Sequence, residues 1–376
     1  MKALLRCLVI VPLALLLVGC PANRSAPVGK APVAGGAPAA GNKRFVFLTN
    51  GNDPFWDTCK AGLMEGAKEF NIEAAGFTVD MDKANFTVEG QIDKLRQYAT
   101  EPEIIGIAIS PFEADNKTIA DEMRKLQEQG KKVITVDADL NRERFRDARS
   151  FYIGTDNTVG GRALGTAARA VLQGKGITSG GYVQFAGSTV NDNARNRMNG
   201  VAESVGKEYT ELDRMPDNGN HQKARDNVRT SLDNHGDKIA VLFGIWAYNA
   251  PAIADIVAQR KVRDKLTIAT FDAASDAIKA MHEGNVDVMV VQNPFDMGRQ
   301  SVRLLKAMVT SDEATLKEMY PNQGQPDGDV FTTGLRVVVP ADDSPVKSEL
   351  FDPKVVEFMT LPQFQAWLDK YGLKSS

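Results

Sequence analysis

Ten side chains suited to holding a small polar molecule lie in the stretches that follow short apolar runs. Asp53, Phe55 and Trp56 come after Arg44–Thr49. Asp137 and Asp139 come after Val133–Val136. Arg195 lies in the segment 186–197, after Tyr182–Phe185. Trp246 and Asn249 follow Ile239–Phe243, Asp272 follows Thr267–Thr270, and Gln292 follows Val286–Val290. Carboxylates accept hydrogen bonds from hydroxyl groups, an arginine donates them, and bonds that carry a charge are the strong ones. Flat aromatic rings cover the C–H faces of a pyranose or furanose. The mixture suits a neutral polyhydroxyl ligand. A phosphate would want more cations and a glycine-rich loop, and neither is present. Six of the ten also have a plainer use: Phe55, Trp56 and Trp246 as packing, Asp139 and Asp272 as helix caps, Arg195 as a surface ion-pair partner. Their joint placement is what favours a site.

Other chemistries lack their residues. The chain has no G-x-S-x-G elbow, H-E-x-x-H, phosphate-binding Walker loop or G-x-G-x-x-G, and Gly160-Gly161 opens a helix without that spacing. Paired carboxylates hydrolyse glycosides in some proteins, but usually on other architectures. Three histidines (His221, His235 and His282) leave few ligands for a metal, and no cofactor is expected. A net charge of −3 gives no basic field for nucleic acid. Three cysteines are too few for a disulfide scaffold. Cys59, inside an apparent helix, reads as a small buried hydrophobe.

The elements that must position these residues alternate regularly. Strand-like runs begin near 44, 74, 104 and 133, the first three each followed by a helical pattern, at the spacing of one strand-helix unit. Ile104–Ile109 is continuously apolar, as a strand buried on both faces must be. After an irregular stretch, 137–150, a second series has strands at 151–154, 182–185, 239–243, 267–270 and 286–290, and a late strand at 336–339. The pattern predicts an α/β protein of two doubly wound parallel-sheet lobes, with ligand-binding residues beyond the carboxyl ends of the strands.

The N-terminus has a different character. Lys2 and Arg6 precede the apolar run Leu8–Val18, which is too short to span a bilayer and reads as a signal peptide. Leu17-Val18-Gly19-Cys20 resembles the bacterial lipobox, which would make Cys20 a lipidated N-terminus and a stable membrane anchor. Residues 21–41, rich in Ala, Pro and Gly, read as a flexible tether. The expected division is a signal peptide over 1–19 and a tether over 20–42. An N-terminal lobe follows over 43–153 and 294–325, a C-terminal lobe over 154–293 and 326–340, and an extension over 341–376.

Seven segments together resemble the bacterial periplasmic sugar-binding proteins of the ribose/xylose/galactose type, with the type I solute-binding fold. They are Asn52–Trp56, Val133–Asp137, Ile153–Asn157, Ala194–Arg197, Trp246–Pro251, Ala269–Asp272 and Val290–Pro294. The resemblance implies two lobes joined by three hinge crossings that close on a sugar. It implies stacking by Phe55 and Trp56, and polar contacts from Asp137, Arg195, Asp272 and Gln292. This chain has Asp137-Ala138 where the ribose type has Asp-Arg, Trp246 near an expected Asn, and Asp53 rather than Asn before the proline. These departures leave room for a larger or differently stacked sugar. The implied role is a lipid-anchored, non-enzymatic, monomeric sugar-capturing subunit of an ABC importer, working with a membrane permease and outside the cytoplasm. A sugar sensor for a membrane kinase or chemoreceptor, or less readily a glycoside-processing enzyme, is the alternative. The export signal excludes a transcriptional repressor of the same ligand fold.

Overall fold

The computed structural model describes residues 43–376; the signal peptide, Cys20 and the tether lie outside the described residues. The strands in chain order are β1 (Lys43–Leu48), β2 (Phe77–Asp82), β3 (Ile104–Ile109), β4 (Lys132–Val136), β5 (Tyr152–Gly154), β6 (Gly180–Ala186), β7 (Tyr209–Pro216), β8 (Ile239–Gly244), β9 (Thr267–Phe271), β10 (Val288–Val291), β11 (Val330–Thr332), β12 (Leu335–Val339) and β13 (Val356–Thr360). The helices are α1 (Pro54–Glu69), α2 (Val88–Thr100), α3 (Lys117–Glu128), α4 (Arg142–Phe145), α5 (Asn157–Gly174), α6 (Asp192–Ser204), α7 (His221–His235), α8 (Asn249–Arg260), α9 (Ser275–His282), α10 (Pro294–Thr310), α11 (Glu313–Met319) and α12 (Leu361–Lys370).

They build two sheets. The first has the order β2-β1-β3-β4-β5-β11 and is parallel throughout. Along β1, Phe45 and Phe47 join one apolar core while Val46 and Leu48 join another, so both faces are covered. The second sheet has the order β7-β6-β8-β9-β10-β12-β13, with β12 antiparallel to β10 and the other pairs parallel. It is covered in the same way: Val241 and Phe243 of β8 join one core and Leu242 the other. In each sheet the strand order reverses beside the first strand of the lobe, at β1/β3 and at β6/β8. Such switch points open a crevice beyond the carboxyl ends of the strands.

The chain passes between the lobes three times. It leaves β5 for α5 through Thr155–Asp156, leaves β10 for α10 through Gln292–Asn293, and leaves β11 for β12 through Thr333–Gly334. The third passage falls later than the expected boundary at 326, because Val330–Thr332 pairs with β5 in the first sheet. Residues 341–376, expected as an extension, complete the second lobe. β13 pairs with β12 at the edge of its sheet, and Phe364 and Leu368 of α12 are buried in its core. β2 also lies three residues later than the strand expected from Ala74, since Asn71–Gly76 forms a turn closed by Gly76 N–H donating to Glu73 O at 2.9 Å. No helix among the described residues is long and apolar enough to cross a membrane.

Candidate functional site

The carboxyl ends of β4 and β9 carry the same device in the two lobes. Asp137 and Asp272 each follow the last strand residue with φ of 67° and 62°. Each is tied to the neighbouring strand end, Asp137 N–H to Ile153 O at 2.9 Å and Asp272 N–H to Val290 O at 2.7 Å. Left-handed backbone outside glycine costs roughly 1–2 kcal/mol and is best tolerated by Asp and Asn. Both carboxylates are buried. Asp137 accepts from Ser110 Oγ at 3.2 Å. Asp272 accepts from Gln292 Nε2 at 3.1 Å and 3.2 Å and from its backbone N–H at 3.4 Å.

The cation facing them is Arg197, 3% exposed. It donates from Nε to Asn157 Oδ1 at 2.8 Å and from Nη1 to Ile245 O at 3.2 Å, and lies 3.5 Å from Asp272 Oδ2. Its guanidinium sits 4.0 Å from the centroid of the Phe271 ring. α6 can hold it there because α5 and α6 approach closely at two glycines. A Cβ at Gly161 would lie 2.1 Å from Arg197 O, and one at Gly200 would lie 2.3 Å from Thr158 O. That contact gives Gly161 a role in packing.

Two acids and one arginine buried together are electrostatically unbalanced. Burial pushes the Asp137 carboxyl up to about 6, with Asp272 adding to the rise and Arg197 and Ser110 opposing it. Burial also raises Asp272, against Arg197 and the Gln292 donors. Burial lowers Arg197, with both acids opposing. Gln292 Oε1 is buried without a partner. Such a pocket has acceptors, a donor and an unused carbonyl to offer a neutral ligand bearing hydroxyl groups.

The rim is aromatic. Trp246 is partly buried, and its ring lies over Gly187, where a Cβ would come within 1.9 Å of it. Asn249 shapes this loop. Its Oδ1 accepts from Trp246 N–H at 3.0 Å and its Nδ2 donates to buried Asp217 at 2.9 Å. Asp217 also accepts from the Tyr248 hydroxyl, and Tyr248 stacks on His221 with centroids 4.6 Å apart. Across the crevice, Asp53 caps α1 by accepting from Phe55 N–H at 2.9 Å. Burial raises its carboxyl, while the cap bond and His221 oppose this. Phe55 is partly buried. Phe86 and Phe112, with centroids 6.5 Å apart, add a second aromatic pair on the first lobe, and Phe86 is held at φ 58°.

Three expected contacts lie outside this cluster. Trp56 is 2% exposed, packed on Phe47 in the first lobe's core, with its indole N–H donated to Asn50 at 3.1 Å. Asp139 is held by Arg149 at 2.7 Å, Arg142 at 2.9 Å and Thr135 at 2.6 Å, an ion-pair knot beneath the loop. Arg195 has a side chain 49% exposed and pairs with Asp192 on its own helix. Sequence reasoning passed over Arg197, two residues along. The signal was available: Ala194, Met198, Val201 and Val205 are buried at helical spacing, and 197 falls on that stripe while 195 does not. Asn157 ends one of the seven segments that carry the resemblance, whereas Ser110, Asp217 and Phe86 were not singled out. Cys59 is a free thiol buried in the first lobe's core. No group of three or more His, Cys, Asp or Glu residues placed to hold a metal exists among the described residues.

A periplasmic binding protein domain model matches residues 44–313. The D-allose-binding periplasmic protein of Escherichia coli (strain K12) is 22% identical over 265 residues, covering 69% of this chain and 82% of that protein. Among solved structures, a solute-binding protein of an ABC transporter from Burkholderia graminis, in complex with D-arabinose, superposes with a TM-score of 0.66 at 23% identity. The match covers 79% of this chain and 94% of that one. A glucose-galactose binding protein from Geobacillus stearothermophilus superposes with a TM-score of 0.64 at 20% identity, covering 79% and 96%. These likenesses share the two-lobed α/β fold.

Proposed function

The chain belongs to the periplasmic binding protein domain family, and on that footing we propose that it captures a neutral sugar between its lobes for an ABC importer. The observation that carries this reading is the buried cluster drawn from both lobes: Asp137 from the first, Arg197, Asp272 and Gln292 from the second and its passage. Asp137 and Asp272 accept from sugar hydroxyls, Arg197 and Gln292 donate to their oxygens, and Phe55 and Trp246 cover the ring. The sugar-binding names of the similar proteins support the same ligand class.

The work is binding rather than catalysis. Contacts from both lobes favour the closed state only when sugar is present, so the ligand shifts the open-closed equilibrium. The closed, monomeric form docks on the membrane permease. Lipidation of Cys20 holds the protein on the outer side of a bacterial membrane, and the 21–41 tether raises its effective concentration at the permease. A thermal-shift series with pentoses and hexoses tests the ligand class. At about a hundred times its dissociation constant, a bound sugar adds about 2.7 kcal/mol of stability. If none shifts the melting temperature, the sugar reading fails. Cys20→Ser should release the protein from membranes, and retention without detergent would refute the anchor.

A further inference from the structure

Most of the residues so far assigned to sugar lie outside a large opening between the lobes. A cavity of about 850 Å³ lies between the lobes beside the first and third passages. Its wall includes Phe112, Thr155, Asn157, Asn193, Trp246 and Thr332, and none of Asp53, Phe55, Asp137, Arg197, Asp272 or Gln292. It is nonetheless contiguous with them. Tyr152, in its wall, donates its hydroxyl to Asp137 O at 2.9 Å. Asn157 accepts from Arg197 at 2.8 Å and donates to Asn193 Oδ1 at 3.2 Å. Trp246 belongs to both spaces.

From this arrangement we propose that the cavity is a second saccharide subsite, so that the ligand is a linked sugar of at least two units. The proposal rests on the sugar reading above and extends it. The volume lies in the upper part of the range of small-molecule pockets, roughly 300–1,000 Å³, and far exceeds what one sugar ring displaces. Thr155, 3% exposed and lining the cavity, has a hydroxyl without a partner, a polar group left for a ligand. The lining is polar and acidic, with six carboxylates and two arginines. Of its acids, Asp115 pairs with Arg144 at 3.1 Å, Asp139 with Arg149 at 2.7 Å, and Asp192 with Arg195. The remaining acids repel an anion, while five asparagines and three aromatic rings, Phe112, Tyr152 and Trp246, offer what a neutral saccharide uses.

The test compares glucose, galactose, xylose and arabinose with maltose, cellobiose, lactose and xylobiose by titration calorimetry on the whole protein. The best disaccharide should bind at least tenfold tighter than its best component sugar. Thr332→Trp, at an exposed position in the cavity wall, should fill the second subsite. It should erase the tenfold gain while leaving the monosaccharide within twofold. Thr155→Val, which keeps the side chain's shape, should weaken the disaccharide several-fold and the monosaccharide little. If a monosaccharide binds and no disaccharide gains over it, or if both variants weaken the two ligand classes equally, the subsite is refuted and the sugar reading stands. If no sugar of either kind binds, both fail.

Discussion

Asp137→Asn should make the sugar-free protein more stable and the receptor worse. The buried carboxyl is pushed up to about 6 from an ordinary 3.8, after the favourable field of Arg197 has acted. At neutral pH the fold therefore holds a charge it would rather not hold. A rise of that size corresponds to about 3 kcal/mol. The folded form binds the proton more tightly than the unfolded chain, so the carboxyl disfavours folding least below pH 4. The cost grows as pH rises through about 6. Asparagine is nearly isosteric, keeps an oxygen for Ser110 Oγ, and tolerates the left-handed backbone at φ 67°. Scanning calorimetry of the sugar-free variant should show a gain of about 3 kcal/mol at pH 7.5, equivalent to about 5 °C at this chain length. The gain should shrink below about 1 kcal/mol at pH 4. Sugar affinity at pH 7.5 should fall roughly 10- to 150-fold, the worth of a charge-assisted hydrogen bond. If the variant loses the same stability at both pH values, the carboxylate is not held at a cost. The electrostatic account of the pocket would then be wrong.

Three further outcomes separate pocket from packing. Arg197→Lys keeps the charge but loses the fork that spans Asn157 and Ile245; monosaccharide affinity by calorimetry should drop tenfold or more, whereas Arg195→Ala, in the wall of the second cavity, should leave monosaccharide affinity within about twofold. Trp246→Ala should weaken binding roughly a hundredfold with little change in sugar-free melting; Trp56→Ala, in the core, should cost about 3–5 kcal/mol of stability in denaturant unfolding. Phe364→Ala, fully buried in the second lobe, should cost about 3–5 kcal/mol, and a silent substitution there would mean that residues 341–376 are not integral to that lobe.

Local chemistry made most of the architecture legible. Ile104–Ile109 and Ile239–Gly244 are apolar without a break because both their faces are buried, and that property is written residue by residue. Pro54, Asp156 and Asn293 mark helix starts through the constraints and hydrogen bonds of single residues. The strands that escaped were those stabilised mainly by partners far along the chain. β7 is a half-exposed edge strand that mixes charged and apolar residues. β11 is three residues long and pairs with β5. β13 joins the far edge of the second sheet beside β12.

The site divided in the same way. That an acid would follow β4 and β9 was visible in the sequence. That both would sit in a left-handed backbone, share one buried arginine and lose their water depended on two lobes meeting. Arg195 and Arg197 are the same residue type two positions apart. Residues that close on a helix face different directions, so one meets solvent and Asp192 while the other meets Phe271 and Asp272. Composition and spacing determined which chemistries the chain could offer. The packing of α6 on α5, and of one lobe against the other, decided which side chains were dehydrated and brought together to use them.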